Sequence, residues 1–194
     1  MVGKDRVDRL KALFERNSCE KVFHGYENFY GNIPTPKRML EVGVFRGASL
    51  RVWRQFWPHS QIVVMDTFQR IEPKNIRGLA SVQWHRHDSR EPFGPDNFDL
   101  IIDDGDHRPA SQAATFRNLI GNLAPGGRYV IEDVWPWDRL SDTDKANPWA
   151  LKIGVCEESW LDLMDAIGGQ KFRIYDFRRR RHPDSCLIEV SKLG

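Results

Sequence analysis

Four short apolar runs, each with an acidic residue at or near its carboxyl end, constrain this chain more than any other feature. They are RMLEVGV (Arg38–Val44), QIVVMDT (Gln61–Thr67), FDLIIDD (Phe98–Asp104) and RYVIEDV (Arg128–Val134). Nearly continuous runs of this length read as strands buried on both faces of a parallel sheet. SVQWHRHD (Ser81–Asp88) reads as a further strand, with Val82 and Trp84 alternating against polar neighbours. Helical patterns lie between them. Val7, Leu10, Leu13 and Phe14 share one face of a first helix. Leu50, Val52, Trp53, Phe56 and Trp57 form a second that Pro58 stops. Ser111 is placed to cap a third, with Ala114, Leu119, Ile120 and Leu123 on its buried face and APGG (Ala124–Gly127) as the turn after it. Trp160, Leu161, Met164 and Ile167 mark a last helix, ended by Gly168 and Gly169. KFRIYDF and CLIEV then close the chain as two strands joined by a basic turn.

Strand alternating with helix implies parallel pairing through right-handed crossovers, and the final tight connection implies an antiparallel edge. The expected architecture is α/β: a doubly wound, Rossmann-like, seven-stranded sheet, mostly parallel with an antiparallel C-terminal strand and helices on both faces. The 194 residues suit a single domain spanning 1–194, and 40% hydrophobic content is enough for its core.

Charge and cysteine content narrow the partners. A formal net charge of +2 gives no general electrostatic footprint for nucleic acid. No apolar run approaches the ~18 residues that cross a bilayer, and the N-terminus is charged and periodic rather than a signal-peptide core. A cytoplasmic protein is expected, with neither a membrane nor a nucleic-acid partner; a homo-oligomer is left open. Cys19, Cys156 and Cys186 show no pairing framework or zinc spacing and read as buried, reduced thiols. FRRRRHPD (Phe177–Asp184) reads as a solvated hairpin tip, with attraction of nucleic acid or an anionic acceptor as the alternative.

In doubly wound sheets the ligand lies beyond the carboxyl ends of the strands. The first strand ends in E-x-G-x-x-x-G, from Glu41 through Gly43 to Gly47, where Phe45 breaks the dinucleotide glycine pattern. An acid two residues before the first glycine suits a ligand with a positive amine better than a pyrophosphate. Asp66 ends the second strand, placed for ribose hydroxyls, and Asp88-Ser89 ends the third, suited to an adenine amino group. Each alone reads equally well as a glycine turn or a capping carboxylate. Together they outline an adenosine with a charged, non-phosphate tail, the shape of S-adenosylmethionine. The candidate donor site is Glu41, Gly43, Val44, Phe45, Gly47 and Ser49 after the first strand, Asp66 and Thr67 after the second, Asp88 and Ser89 after the third, and Asp103 on the fourth.

Asp104, Glu132 and Asp133 can converge at this rim. Like charges that close repel, and a divalent cation removes the conflict; oxygen-only ligands favour a hard ion such as magnesium. The alternative is that some of the acids ending the fourth and fifth strands, Asp106 above all, cap helices or pair with Arg108, Arg128 or Arg139. His107, beside them, is the candidate general base. His85 and His87 flank the donor. Trp135, Trp137 and the loop to Trp149 either wall an acceptor pocket or pack as core.

EVGVFRGASL, IIDDGDH and YVIEDV, in this order, resemble the class I S-adenosylmethionine-dependent methyltransferases, and more narrowly the macrocin and mycinamicin sugar O-methyltransferases and cephalosporin-hydroxylase-like proteins. The resemblance covers about half the chain, Arg38 to Val134. It implies a small-molecule acceptor carrying a sugar hydroxyl, magnesium on Asp104, Glu132 and Asp133, His107 as base, Glu41 and Gly43 beside the methionine part and Asp66 beside the ribose. Asp106 stands where that family usually has serine. A catechol or phenol O-methyltransferase and a non-catalytic adenosyl-binding domain are the alternative readings.

Overall fold

The computed structural model describes residues 2–69, 79, 81–178 and 182–192. Its strands are β1 (Arg38–Val42), β2 (Gln61–Asp66), β3 (Gln83–Arg86), β4 (Phe98–Asp103), β5 (Leu123–Ile131), β6 (Lys171–Asp176) and β7 (Cys186–Ser191). They form one sheet in the order β3-β2-β1-β4-β5-β7-β6. β1, β2, β3, β4 and β5 pair in parallel, while β7 runs antiparallel to both β5 and β6. The expected architecture is therefore present, antiparallel edge included. Within that edge, β7 inserts between β5 and β6, and β6 is outermost. β7 carries the more apolar run, CLIEV, and all five of those residues are buried, whereas β6 begins with three exposed residues.

The helices are α1 (Val2–Arg16), α2 (Lys21–His24), α3 (Glu27–Tyr30), α4 (Ala48–Phe56), α5 (Pro109–Leu119), α6 (Asp142–Lys145), α7 (Pro148–Lys152) and α8 (Glu157–Ile167). Alternation along each strand feeds two cores, as the two-residue period of a strand requires. Met39, Ile62, Val64, Leu100 and Ile102 face α1, α3 and α4, against Leu10, Phe14, Tyr30 and Trp53. Leu40, Val63, Met65, Ile101 and Tyr129 face α5 and α8, against Phe116, Leu119, Leu163 and Ile167. Trp53 stacks on Trp57 with ring centres 4.9 Å apart, and Tyr30 lies 5.0 Å from Trp53, which fastens α3 to α4.

Several local expectations change. α5 begins at Pro109, whose missing N–H suits the first helical position, so Ser111 lies inside the helix and donates its hydroxyl to Asp106 Oδ2 at 3.0 Å. Its buried face is Ala113, Phe116 and Leu119; Ala114 and Ile120 are half-buried and Leu123 belongs to β5, as do the APGG residues. In α8 Leu163, not Leu161, joins the core; Leu161 is exposed. Within the basic turn, residues 179–181 lie outside the described residues, and Arg178 is paired with Asp176 at 2.7 Å.

The three cysteines are unpaired, but only two are buried. Cys156 is exposed at the start of α8, where its Sγ accepts from the Ser159 N–H. Burial pushes the thiols of Cys19 and Cys186 up to about 12. Since the thiolate is the reactive form, a disulfide reagent at neutral pH is expected to titrate one thiol in the native protein and three in denaturant. Rapid modification of a second native thiol would contradict this packing.

Candidate active site

The strand order turns back between β1 and β4: the chain runs outward from β1 to β3 and then returns on the other side. The crevice expected at such a reversal is a cavity of about 870 Å³. Its walls are the loops after β1, β2, β3, β4 and β5, together with α2 and the first turn of α7.

The loop after β1 owes its shape to Gly43. Its φ is +88°, and a Cβ there would lie 2.0 Å from the Asp104 carbonyl oxygen. Only glycine lets the β1 and β4 loops close on each other this tightly. Gly47, at φ +71°, caps α4. Val44 donates its N–H to Asp66 Oδ2 at 2.7 Å, and Phe68 donates its own to Asp66 Oδ1 at 2.5 Å, so the end of β2 is held against the β1 loop.

Of the donor residues expected from sequence, Gly43, Val44, Phe45, Ser49, Asp66, Thr67, Asp88, Ser89 and Asp103 line the cavity. Glu41 and Gly47 do not. Glu41 is wholly buried on β1; its Oε1 accepts from Trp53 Nε1 at 3.1 Å, and burial raises its carboxyl to about 7. Asp88 is turned to Arg90, with contacts at 2.9 and 2.6 Å, and those hydrogen bonds lower it to about 2. The Ser89 hydroxyl lies 2.8 Å from that of Thr115. Burial pushes the Asp103 carboxyl well up, and its Oδ2 has no hydrogen-bond partner. His87 lines the cavity; His85 does not, and packs on Phe93.

The rim acids are gathered at one end. Asp104, His107 and Asp133 each present a ligand-type atom within 4.8 Å of the others. His107 Nδ1 lies 3.5 Å from Asp133 Oδ2 and 4.0 Å from Asp104 Oδ1, buried and without a hydrogen bond. His107 and Asp133 both have left-handed backbones, at φ 59° and 53°. Such strain in non-glycine residues collects where a site needs a particular side-chain direction.

Glu132 is turned differently. Its Oε2 accepts from Lys21 Nζ and its Oε1 from the Tyr30 hydroxyl. Lys21 Nζ also lies 2.5 Å from Asp104 Oδ2 and 3.8 Å from Glu41 Oε1. Burial alone would lower this ammonium; Asp104, Glu132 and Glu41 outweigh it and hold Lys21 well above its ordinary value, so it stays charged. Tyr26 donates its hydroxyl to Asp133 Oδ1 at 2.6 Å, and His24 Nδ1 lies 3.5 Å from the same oxygen. Of the arginine pairings considered for the strand-end acids, that of Arg108 with Asp106 forms, while Arg128 pairs with Glu189 and Arg139 with Asp138.

Lys21, His24, Tyr26 and Tyr30 are the site residues that sequence patterning missed. They sit on α2, α3 and the turn between them, within CEKVFHGYENFYGN, where four-residue helices leave no periodicity to detect. The available signal was polar tips and aromatics crowded between Gly25 and Gly31, just before β1.

The tryptophans divide. Trp135 is buried with Leu140, Ala150, Ile153 and Val155 in a small separate core, and Trp137 packs beside it. Trp149, on α7, is half exposed and lines the cavity. Asn147 caps α7 through its side-chain oxygen and Pro148 takes the first turn, which fixes where Trp149 stands.

No family model matches the chain. Mycinamicin VI 2''-O-methyltransferase of Micromonospora griseorubida is 35% identical over 111 residues, 50% of this chain and 27% of that protein. Demethylmacrocin O-methyltransferase of Streptomyces fradiae is 32% identical over 153 residues, 69% of this chain and 36% of that protein. The chain resembles the sugar O-methyltransferases of macrolide biosynthesis. It spans between 27% and 40% of the length of these curated O-methyltransferases. The MycE methyltransferase of the mycinamycin pathway, crystallised with Mg and SAH, aligns over 95% of this chain and 55% of its own, with a TM-score of 0.58 and 24% identity. Human N-acetylserotonin methyltransferase aligns over 99% and 57%, with a TM-score of 0.65 and 15% identity. Both share the Rossmann-like methyltransferase fold described above. Among the described residues, no helix is long and apolar enough to cross a membrane.

Proposed function

We propose that this chain is an S-adenosylmethionine-dependent O-methyltransferase acting on a hydroxyl of a sugar carried by a natural product. One observation carries the reading: Asp104, His107 and Asp133 converge on the wall of the cavity that the donor residues line. The likeness to sugar O-methyltransferases supports the acceptor class.

Gly43 lets the backbone approach the donor closely, and Asp66, fixed by two backbone N–H groups, is placed for ribose hydroxyls. The donor, when bound, supplies a methyl group on a positively charged sulfur. In-line displacement forms an oxygen–carbon bond as the carbon–sulfur bond breaks, and the hydroxyl proton must leave. His107 takes that proton. Its Nδ1 faces Asp133 and Asp104, which leaves Nε2 as the acceptor and lets both carboxylates stabilise the imidazolium.

Asp104 and Asp133 fit a divalent cation: Asp104 Oδ1 and Asp133 Oδ2, two carboxylate oxygens of like charge, converge at the cavity wall beside His107. Glu132 would complete the ligand set on leaving Lys21. Magnesium, when bound, would orient neighbouring acceptor oxygens and lower the pKa of the reacting hydroxyl. Trp149 offers an aromatic face to the acceptor at the cavity wall.

The test is transfer of a labelled methyl group from the donor to demethylated macrolide glycosides, alongside calorimetry of donor binding. Donor binding with methylation of a sugar hydroxyl is expected. An absence of donor binding would end the reading outright; tight binding with no transfer to any glycoside or diol would favour a non-catalytic adenosyl-binding domain.

A further inference from the structure

We infer that Lys21 is a tethered cation that competes with a divalent metal ion for Asp104 and Glu132, and so sets how tightly this site holds metal. The inference rests on the metal site proposed above.

The ammonium is buried and sits against Glu132 Oε2 and, at 2.5 Å, Asp104 Oδ2. Glu132 has no free oxygen, because Tyr30 takes the other. Asp104 is divided: one oxygen serves Lys21, and the other faces His107 and the open side of the site. Asp133 is held by Tyr26 at Oδ1 and turns Oδ2 toward His107. The carboxylates therefore form two half-sites that share Asp104. Lys21 fills one; Asp104 Oδ1 and Asp133 Oδ2, converging beside His107, form the other.

Charge makes the arrangement competitive. Asp104, Glu132 and Asp133 lie together with Glu41 beneath them, and Lys21 is the lysine inside the group. A cluster of buried acids with no cation would not stay ionised. Lys21 lets the apo site fold with its carboxylates gathered. An incoming dication must share Asp104 with an ammonium or displace it, and either way like charges close by weaken its hold. Removing the ammonium removes that repulsion and frees two carboxylate oxygens.

The experiment compares Mn²⁺ binding to the wild type and Lys21→Met by electron paramagnetic resonance of the free ion, with donor calorimetry to confirm that the variant folds. Lys21→Met is expected to bind Mn²⁺ at least about tenfold more tightly than the wild type. Equal or weaker binding in the variant, beside measurable wild-type binding, overturns the inference and leaves the metal site standing. No binding in either protein overturns the metal site and this inference with it. If the variant does not fold, the wild type decides. Competition requires the slowly exchanging lysine Nζ signal, seen by ¹⁵N NMR, to shift or vanish when Mg²⁺ is added. A signal unchanged at Mg²⁺ saturation would refute it.

Discussion

Gly43→Ala is expected to cost about 3–5 kcal/mol of stability and to abolish donor binding. Two effects add. At φ +88° an alanine is strained in its own backbone, and its Cβ would lie 2.0 Å from the Asp104 carbonyl oxygen. That oxygen belongs to main chain and cannot swing aside, because the neighbouring Asp104 N–H is bonded to Val42. Relief would require the β1 and β4 loops to part, which separates Gly43 and Val44 from the rim acids. Gly126→Ala separates the two effects: Gly126 has φ +75° but nothing within 4 Å of its added Cβ, so only the backbone strain of ~1–2 kcal/mol applies. Urea denaturation of both variants measures the difference. Equal costs would show that the loop contact contributes nothing.

His107→Ala is expected to lower kcat for a sugar hydroxyl by about 10²–10⁴ while leaving donor affinity near wild type, the usual worth of a positioned general base. His107 stands with Asp104 and Asp133 beyond β4 and β5, whereas Asp66, the residue proposed for the donor's ribose, ends β2, so removing the ring is expected to spare donor contacts. A catechol needs less help to lose its proton, so a small effect with a catechol and a large one with a sugar would assign the acceptor class as well as the residue. A loss of less than about threefold on a sugar substrate would remove His107 from the chemistry.

The sheet was legible because its strands are short, apolar and sharply punctuated. Strands such as β2 and β4, buried on both faces, leave little ambiguity when glycines, prolines and acids bound them. The acid-bearing strand ends were legible too, since a carboxylate at the end of a buried run is unusual wherever it occurs. What escaped was set by packing rather than by pattern. The position of β7 depends on which of two adjacent strands is apolar enough for an interior place, and Leu161 points to solvent because Leu163 wins the face against α5. Lys21 escaped because a lone lysine in a short, aperiodic stretch reads as surface; only its placement beneath the β4 and β5 loops shows that it is enclosed by carboxylates.

The interior place of β7 has a consequence for how the molecule is made. β7 bonds to both β5 and β6, and Cys186 at its start accepts the Val134 N–H just beyond the rim acids. During synthesis β5 leaves the ribosome long before β7, so Glu132 and Asp133 must wait on an unfinished sheet with an open edge beside them. Completion of the acidic rim thus waits on β7, and the nascent chain is most exposed to misassembly in the interval before that strand arrives.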